Sequence, residues 1–248
     1  MYPSVAKAFS PFSIKFEGYL PFMYLDIKGY VTTGMGNLVD PIGAALSLPW
    51  RRPDASLAAQ GEISDAWHAV DAQRCCPKGQ QQTSGLATKY GQAFGPITTI
   101  RLDKAGIDTL IQQRLATNEA FLRKKYPGYD HWPADAQMGI HSMSWAMGPG
   151  FNFPQFTKAV NQLRPDFAAA AIASHINEKG NPGIVPRNAA NLQLFNNAEA
   201  VLKLHADPSK LFYPGPVVGT DYKKIGLIAA IAGTVIGGAI LIWKKVAG

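Results

Sequence analysis

Residues 16–34 read Phe16-Glu17-Gly18-Tyr19-Leu20-Pro21-Phe22-Met23-Tyr24-Leu25-Asp26-Ile27-Lys28-Gly29-Tyr30-Val31-Thr32-Thr33-Gly34. Upstream, Ser10-Pro11 reads as a helix start, with serine at the N-cap and proline at the first helical position. Phe12, Ile14 and Phe16 follow, and Gly18 is a natural helix stop. Glu17 therefore falls at the end of a short helix. From Tyr24 to Thr33 the pattern changes to aromatic and β-branched residues around Asp26-Ile27-Lys28-Gly29, which predicts a hairpin turning there and ended by Gly34 and Gly36. One short apolar segment thus holds two carboxylates and the Thr32 hydroxyl.

Outward from this segment the chain is mostly helical in pattern. Residues 40–100 are irregular, broken first by Pro41, Pro49 and Pro53. Within them Glu62 to Arg74 reads as a helix with Ile63, Ala66, Trp67 and Val70 on one face. Pro77 to Thr83 reads as a mobile polar loop. Leu102-Asp103 opens a long helix ended by Tyr126-Pro127-Gly128. Pro133 to Met147 is apolar on most sides, which predicts a buried helix. Phe156 to Leu163, Asp166 to His175 and Ala189 to Leu204 complete a helical half. Residues 207–222 carry Pro208, Pro214, Gly215, Pro216 and Gly219, a linker composition.

The 248 residues are 47% hydrophobic, which suits a folded chain of one large domain or two small ones. Net charge is +7, and Lys223, Lys224, Lys244 and Lys245 in the tail supply four of those charges. The body is therefore only mildly basic. Its one dense run, Arg123-Lys124-Lys125, reads as a solvated helix end, so a nucleic-acid partner is not expected. A mild positive balance suits an acidic polymer. Cys75 and Cys76 are adjacent, and a bridge between neighbours strains the backbone, so they read as unremarkable thiols. No Cys or His pair stands at metal-ligand spacing. His68, His131, His141, His175 and His205 read as structural or surface residues. The first twenty residues lack the apolar run of a signal peptide.

Ile225 to Trp243 is a stretch of 19 residues without charge. As a helix it would span roughly 28 Å, close to a bilayer's hydrocarbon core. Lysine pairs bracket it, and Tyr222 and Trp243 fall where interfacial aromatics belong. The expectation is a transmembrane anchor over residues 223–248, with Gly233 and Gly237 offering a close-approach face for self-association.

Glycoside hydrolysis needs one carboxylic acid to protonate the leaving oxygen and one carboxylate to direct water or stabilise the sugar cation. The acid must hold its proton near neutral pH, which an apolar setting favours. Glu17, beside Phe16, Tyr19 and Phe22, suits that role. Asp26, in a polar turn beside Lys28, suits the ionised one, and Thr32 could hold a water.

The spacing of these three, with Gly34 and Gly36 following, resembles the active-site pattern of the phage-type lysozymes, the T-even phage lysozyme family. Leu102 to Lys125 is similar to that family's inter-lobe helix, Asp135 to Gly148 to its buried central helix, and Asn181 to Asn197 to its arginine-bearing segment. The resemblance covers residues 10–204, and only the first motif is specific. It implies a mostly α, α+β two-lobed lysozyme-like fold over residues 1–206, here with one C-terminal transmembrane helix. The small lobe would span residues 10–100, the inter-lobe helix 102–125 and the helical lobe 126–206. It further implies an inverting muramidase acting on bacterial peptidoglycan, with Glu17 as general acid, Asp26 and Thr32 positioning water, Arg187 supporting Glu17, and no cofactor or metal. Asn37 departs from the histidine that many relatives carry, and residues 40–100 are longer than in the compact phage enzymes. A membrane-anchored place in a phage virion or the host inner membrane would follow. The rival expectation is a membrane-active, holin-like or injection-channel protein with a non-catalytic wall-binding domain.

Overall fold

The computed structural model describes residues 1–89, 91–179 and 183–217. The expected α+β class with a transmembrane helix is corrected to a mostly helical one without it, 54% of the described residues being helical against 8% in strands. No helix among the described residues is long and apolar enough to cross a membrane. The two longest, α4 (Lys104–Lys125) and α8 (Ile184–Leu204), carry charged side chains such as Asp108, Arg114 and Glu119 or Arg187, Glu199 and Lys203 along their length. The transmembrane helix of the expected fold is therefore not supported. The stretch 225–243 proposed for it, with Gly233 and Gly237, lies outside the described residues.

The described residues divide into two compact units: Ala8–Thr117, and Met1–Lys7 together with those from Asn118 to Val217. Helix α1 (Pro3–Glu17) and helix α4 each contribute to both. Helix α1 begins eight residues before Pro11, the expected first helical position, and carries that proline inside it. Proline has no N–H to bond back one turn, yet the helix continues through it to Glu17.

The unit of residues 8–117 is built on an antiparallel sheet in the order β1 (Leu20–Leu25), β2 (Val31–Gly34), β3 (Asn37–Leu38). Leu25 pairs with Val31 and Tyr24 with Thr32, and an irregularity between Leu20 and Tyr24 breaks the register. The hairpin stands where the sequence pattern put it. The third strand was not anticipated, because two residues leave no periodicity to read. Around the sheet lie α2 (Ile42–Leu46), β4 (Trp50–Arg51), α3 (Gln60–Asp71) and β5 (Arg101–Leu102), with β4 and β5 paired antiparallel. Helix α3 buries the face formed by Ile63, Ala66, Trp67 and Val70, as its spacing predicted. The Trp67 indole N–H also donates to the Val39 carbonyl at 2.9 Å, tying α3 to the chain beyond the sheet.

The second unit packs α5 (Ala134–Met147), α6 (Pro154–Val160), α7 (Phe167–Ala173) and α8 around an aromatic core. Tyr126 meets Phe156 edge to face at 6.1 Å, and Trp132 meets Phe167 at 5.6 Å. Such offset pairs add to the area they bury. Every residue of α5 from Ala134 to Trp145 is buried, in agreement with its all-round apolar pattern. Gly139 permits this: a Cβ there would stand 2.8 Å from the Phe195 ring.

Residues 207–217, expected to open a linker, are instead fastened to this unit. Asp135, fully buried at the start of α5, accepts from the Phe212 and Tyr213 N–H groups at 2.9 and 3.0 Å and from Asn197 Nδ2 at 2.9 Å. Burial pushes the Asp135 carboxyl above its ordinary value, and these donors pull against that shift. The Pro208 carbonyl accepts from the Ala134 N–H at 2.7 Å. Proline and glycine content signals irregular backbone, and a partner for that backbone can lie far off in sequence.

Candidate active site

Glu17 is the last residue of α1, and Gly18, with φ +74°, turns the chain sharply into β1. The left-handed conformation there costs glycine little and any other residue more. The Glu17 side chain is half-buried. Phe12 and Phe16 stack edge to face at 5.1 Å on the same helix, an apolar patch one turn long beside it.

Asp26 opens the hairpin turn. Its Oδ1 accepts from the Lys28 N–H at 2.8 Å and the Tyr30 N–H at 2.9 Å. These bonds spend one carboxylate oxygen on holding the turn and fix the direction of the other. The backbone closes the same turn, with Asp26 N–H to the Tyr30 carbonyl at 3.0 Å.

Thr32 lies on β2 with 4% of its surface exposed. Its hydroxyl donates to the Tyr30 carbonyl at 3.1 Å. With the proton so committed, Oγ1 offers lone pairs, so a water held there would donate to it.

Tyr24, which the sequence pattern marked only as the start of the hairpin, joins these residues. It stands opposite Thr32 on the β1–β2 ladder. Burial first, then the charges of Glu17 and Asp26, raise its phenol well above 10.0, while a backbone hydrogen bond from Gly36 and the charge of Arg114 oppose the rise. Both carboxylates therefore act on one phenol. Arg114 holds the facing backbone, donating through Nη1 to the Gly36 carbonyl at 2.7 Å. An aromatic on the strand leading to the turn was the signal available, and packing alone equally explains it.

Asn37 accepts from the Met35 N–H at 3.2 Å. It closes the β2–β3 turn through a neutral amide. Arg187 falls in the other unit, on the first turn of α8, which begins five residues earlier than the pattern indicated. It is 2% exposed, and its Nη1 donates to the Ser142 carbonyl at 3.0 Å and to the Ser142 hydroxyl at 3.3 Å. It is thus a core arginine and no surface charge. The structure gathers Glu17, Asp26, Thr32 and Tyr24 in one unit and places Arg187 in the other.

Among the described residues no three His, Cys, Asp or Glu side chains converge as a metal site would require. The chemistry on offer is that of carboxylates, a hydroxyl and a protonated phenol. No protein-family model matches this chain, and no curated protein is detectably similar to it.

Proposed function

We propose that this chain is a peptidoglycan hydrolase of the muramidase class, used in phage penetration or host lysis. It would cut the β-1,4 bond between N-acetylmuramic acid and N-acetylglucosamine. Glu17 protonates the leaving oxygen. Asp26, its carboxylate aimed by the turn, draws a proton from a water on the opposite sugar face, and Thr32 Oγ1 accepts that water's second hydrogen. Attack from that face inverts the anomeric carbon. The single observation that most favours this reading is geometric: Glu17 ends α1 at the Gly18 turn into β1, and the hairpin that follows fixes the Asp26 carboxylate through the Lys28 and Tyr30 N–H groups and carries Thr32 on its return strand.

The test is a zymogram and turbidity assay on purified cell wall, with NMR of the first product. Wild type should clear the wall and release the α-anomer. Glu17→Gln should lose at least about 10²–10⁴-fold, the range of general-acid contributions. Undiminished clearing by Glu17→Gln would refute the assignment. Binding of wall without cleavage by wild type would favour the non-catalytic reading.

A further inference from the structure

Residues 77–83 were expected to be a mobile loop, preceded by two unremarkable thiols. The segment is organised instead around Gln82, which is 1% exposed. Gln82 Oε1 accepts from the Cys75 N–H at 3.0 Å and the Cys76 N–H at 3.2 Å. Its Nε2 donates to the Cys76 carbonyl at 3.1 Å and the Gln80 carbonyl at 3.2 Å. One side chain therefore touches three successive peptide units, and it grips the Cys75–Cys76 peptide through the Cys76 N–H.

The thiols are placed for chemistry. Cys75 is exposed and Cys76 half-buried, with their sulfurs 3.2 Å apart. The Thr83 N–H points at Cys75 Sγ at 3.3 Å. Hydrogen bonds from the Ser84 hydroxyl, the Cys76 thiol and the Ser84 N–H lower the Cys75 thiol to about 6, against a slight opposing effect of desolvation. At neutral pH that thiol is largely the nucleophilic thiolate.

The loop also holds the turn that carries Asp26. The Gln82 N–H donates to the Ile27 carbonyl at 2.8 Å, and the Gly79 N–H to the Lys28 carbonyl at 2.9 Å. Gly29, at φ +76°, brings its backbone so near that a Cβ would stand 2.7 Å from Gln82 Nε2. Asp40 adds a second strap, bonding the Lys78 ammonium at 2.6 Å and the Val31 N–H at 3.3 Å.

We infer that Cys75 and Cys76 are a reversible redox site, in which Cys75 reacts with a peroxide, Cys76 resolves the product to a vicinal disulfide, and the change is passed through Gln82 to the Asp26 turn. The Cys75 thiolate attacks one peroxide oxygen, the O–O bond breaks, and the departing hydroxide takes a proton to become water. Cys76 then displaces the hydroxyl of the Cys75 sulfenic acid as a second water. Two thiols and one peroxide thus give one disulfide and two waters. Neighbouring Cα atoms stand only about 3.80 Å apart across a trans peptide, closer than a relaxed disulfide prefers. Ring closure must rotate the peptide that Gln82 grips, and the strained product is readily reduced again.

Full-length protein treated with equimolar hydrogen peroxide should lose two hydrogens by intact mass and regain them with dithiothreitol. Cys76→Ser should stop at a sulfenic acid on Cys75 that dimedone labels, and Cys75→Ser should react at least 10-fold more slowly. Amide exchange at Gln82 and Gly79 should quicken on oxidation. Reaction of Cys75→Ser at the wild-type rate, or only intermolecular dimers, would overturn the redox site. Unchanged exchange at both amides would overturn the coupling. An effect on wall cleavage rests on the muramidase reading; the mass and exchange readouts do not, so the two can fail separately.

Discussion

Tyr24 stands opposite Thr32 across the β1–β2 ladder, and its phenol is held protonated by burial and by the charges of Glu17 and Asp26 together. Directly opposed residues of an antiparallel pair share one face of the sheet, so the Tyr24 ring and the Thr32 side chain lie side by side. An ion or water that approaches Thr32 does so beside a phenol under the influence of both carboxylates.

Removing that phenol therefore reaches the chemistry without removing a reacting group. Tyr24→Phe keeps the ring that fills the space beside Gly91, where a Cβ would stand 3.2 Å from it. We expect wall cleavage to fall about 10-fold, with kcat affected more than KM. An unchanged rate would leave Tyr24 a packing residue.

Thr32 separates shape from hydrogen bonding. Thr32→Val fits a buried strand position but offers no lone pair. Its activity should drop about 10²-fold, with the thermal midpoint within a few degrees of wild type, about a 1 kcal/mol effect at most. Thr32→Ser should retain most activity. Equal losses in both variants would point to packing instead of water placement.

Asp135 should govern how residues 207–217 are held. Asp135→Ala leaves the half-buried N–H groups of Phe212 and Tyr213 without their acceptor, while the Asn197 amide keeps the Gly215 carbonyl. A cost of about 1–3 kcal/mol follows from the lost hydrogen bonds. Limited proteolysis should then cut within 207–217 well before the rest of the unit, and denaturant melts should report the loss.

His141 sets an acid limit on stability. It is fully buried against the Tyr129 hydroxyl at 2.8 Å, and burial lowers it from 6.5 to about 4. The folded form stays neutral where the unfolded chain already binds a proton. Its contribution is thus complete above pH 6.5 and fades as pH falls toward 4, by up to about 3 kcal/mol. Urea unfolding followed across that range should show the slope, and His141→Gln should remove it.

The sequence by itself determined the local elements. The Glu17 helix end, the hairpin on Asp26, the apolar face of α3 and the buried α5 were legible because each is written in a period of 2 or 3.6 residues or in a glycine at a turn. The tertiary structure alone decided what local periodicity cannot encode. It continued α1 through Pro11, tied 207–217 to Asp135, buried Arg187, set Tyr24 against Thr32 and built the Cys75–Gln82 loop onto the Asp26 turn. For residues 207–217, Arg187 and the Cys75–Gln82 loop the physical reason is the same: each depends on a hydrogen bond whose partner is distant in the chain or hidden by irregular backbone, and such a partner leaves no mark on the spacing of its neighbours.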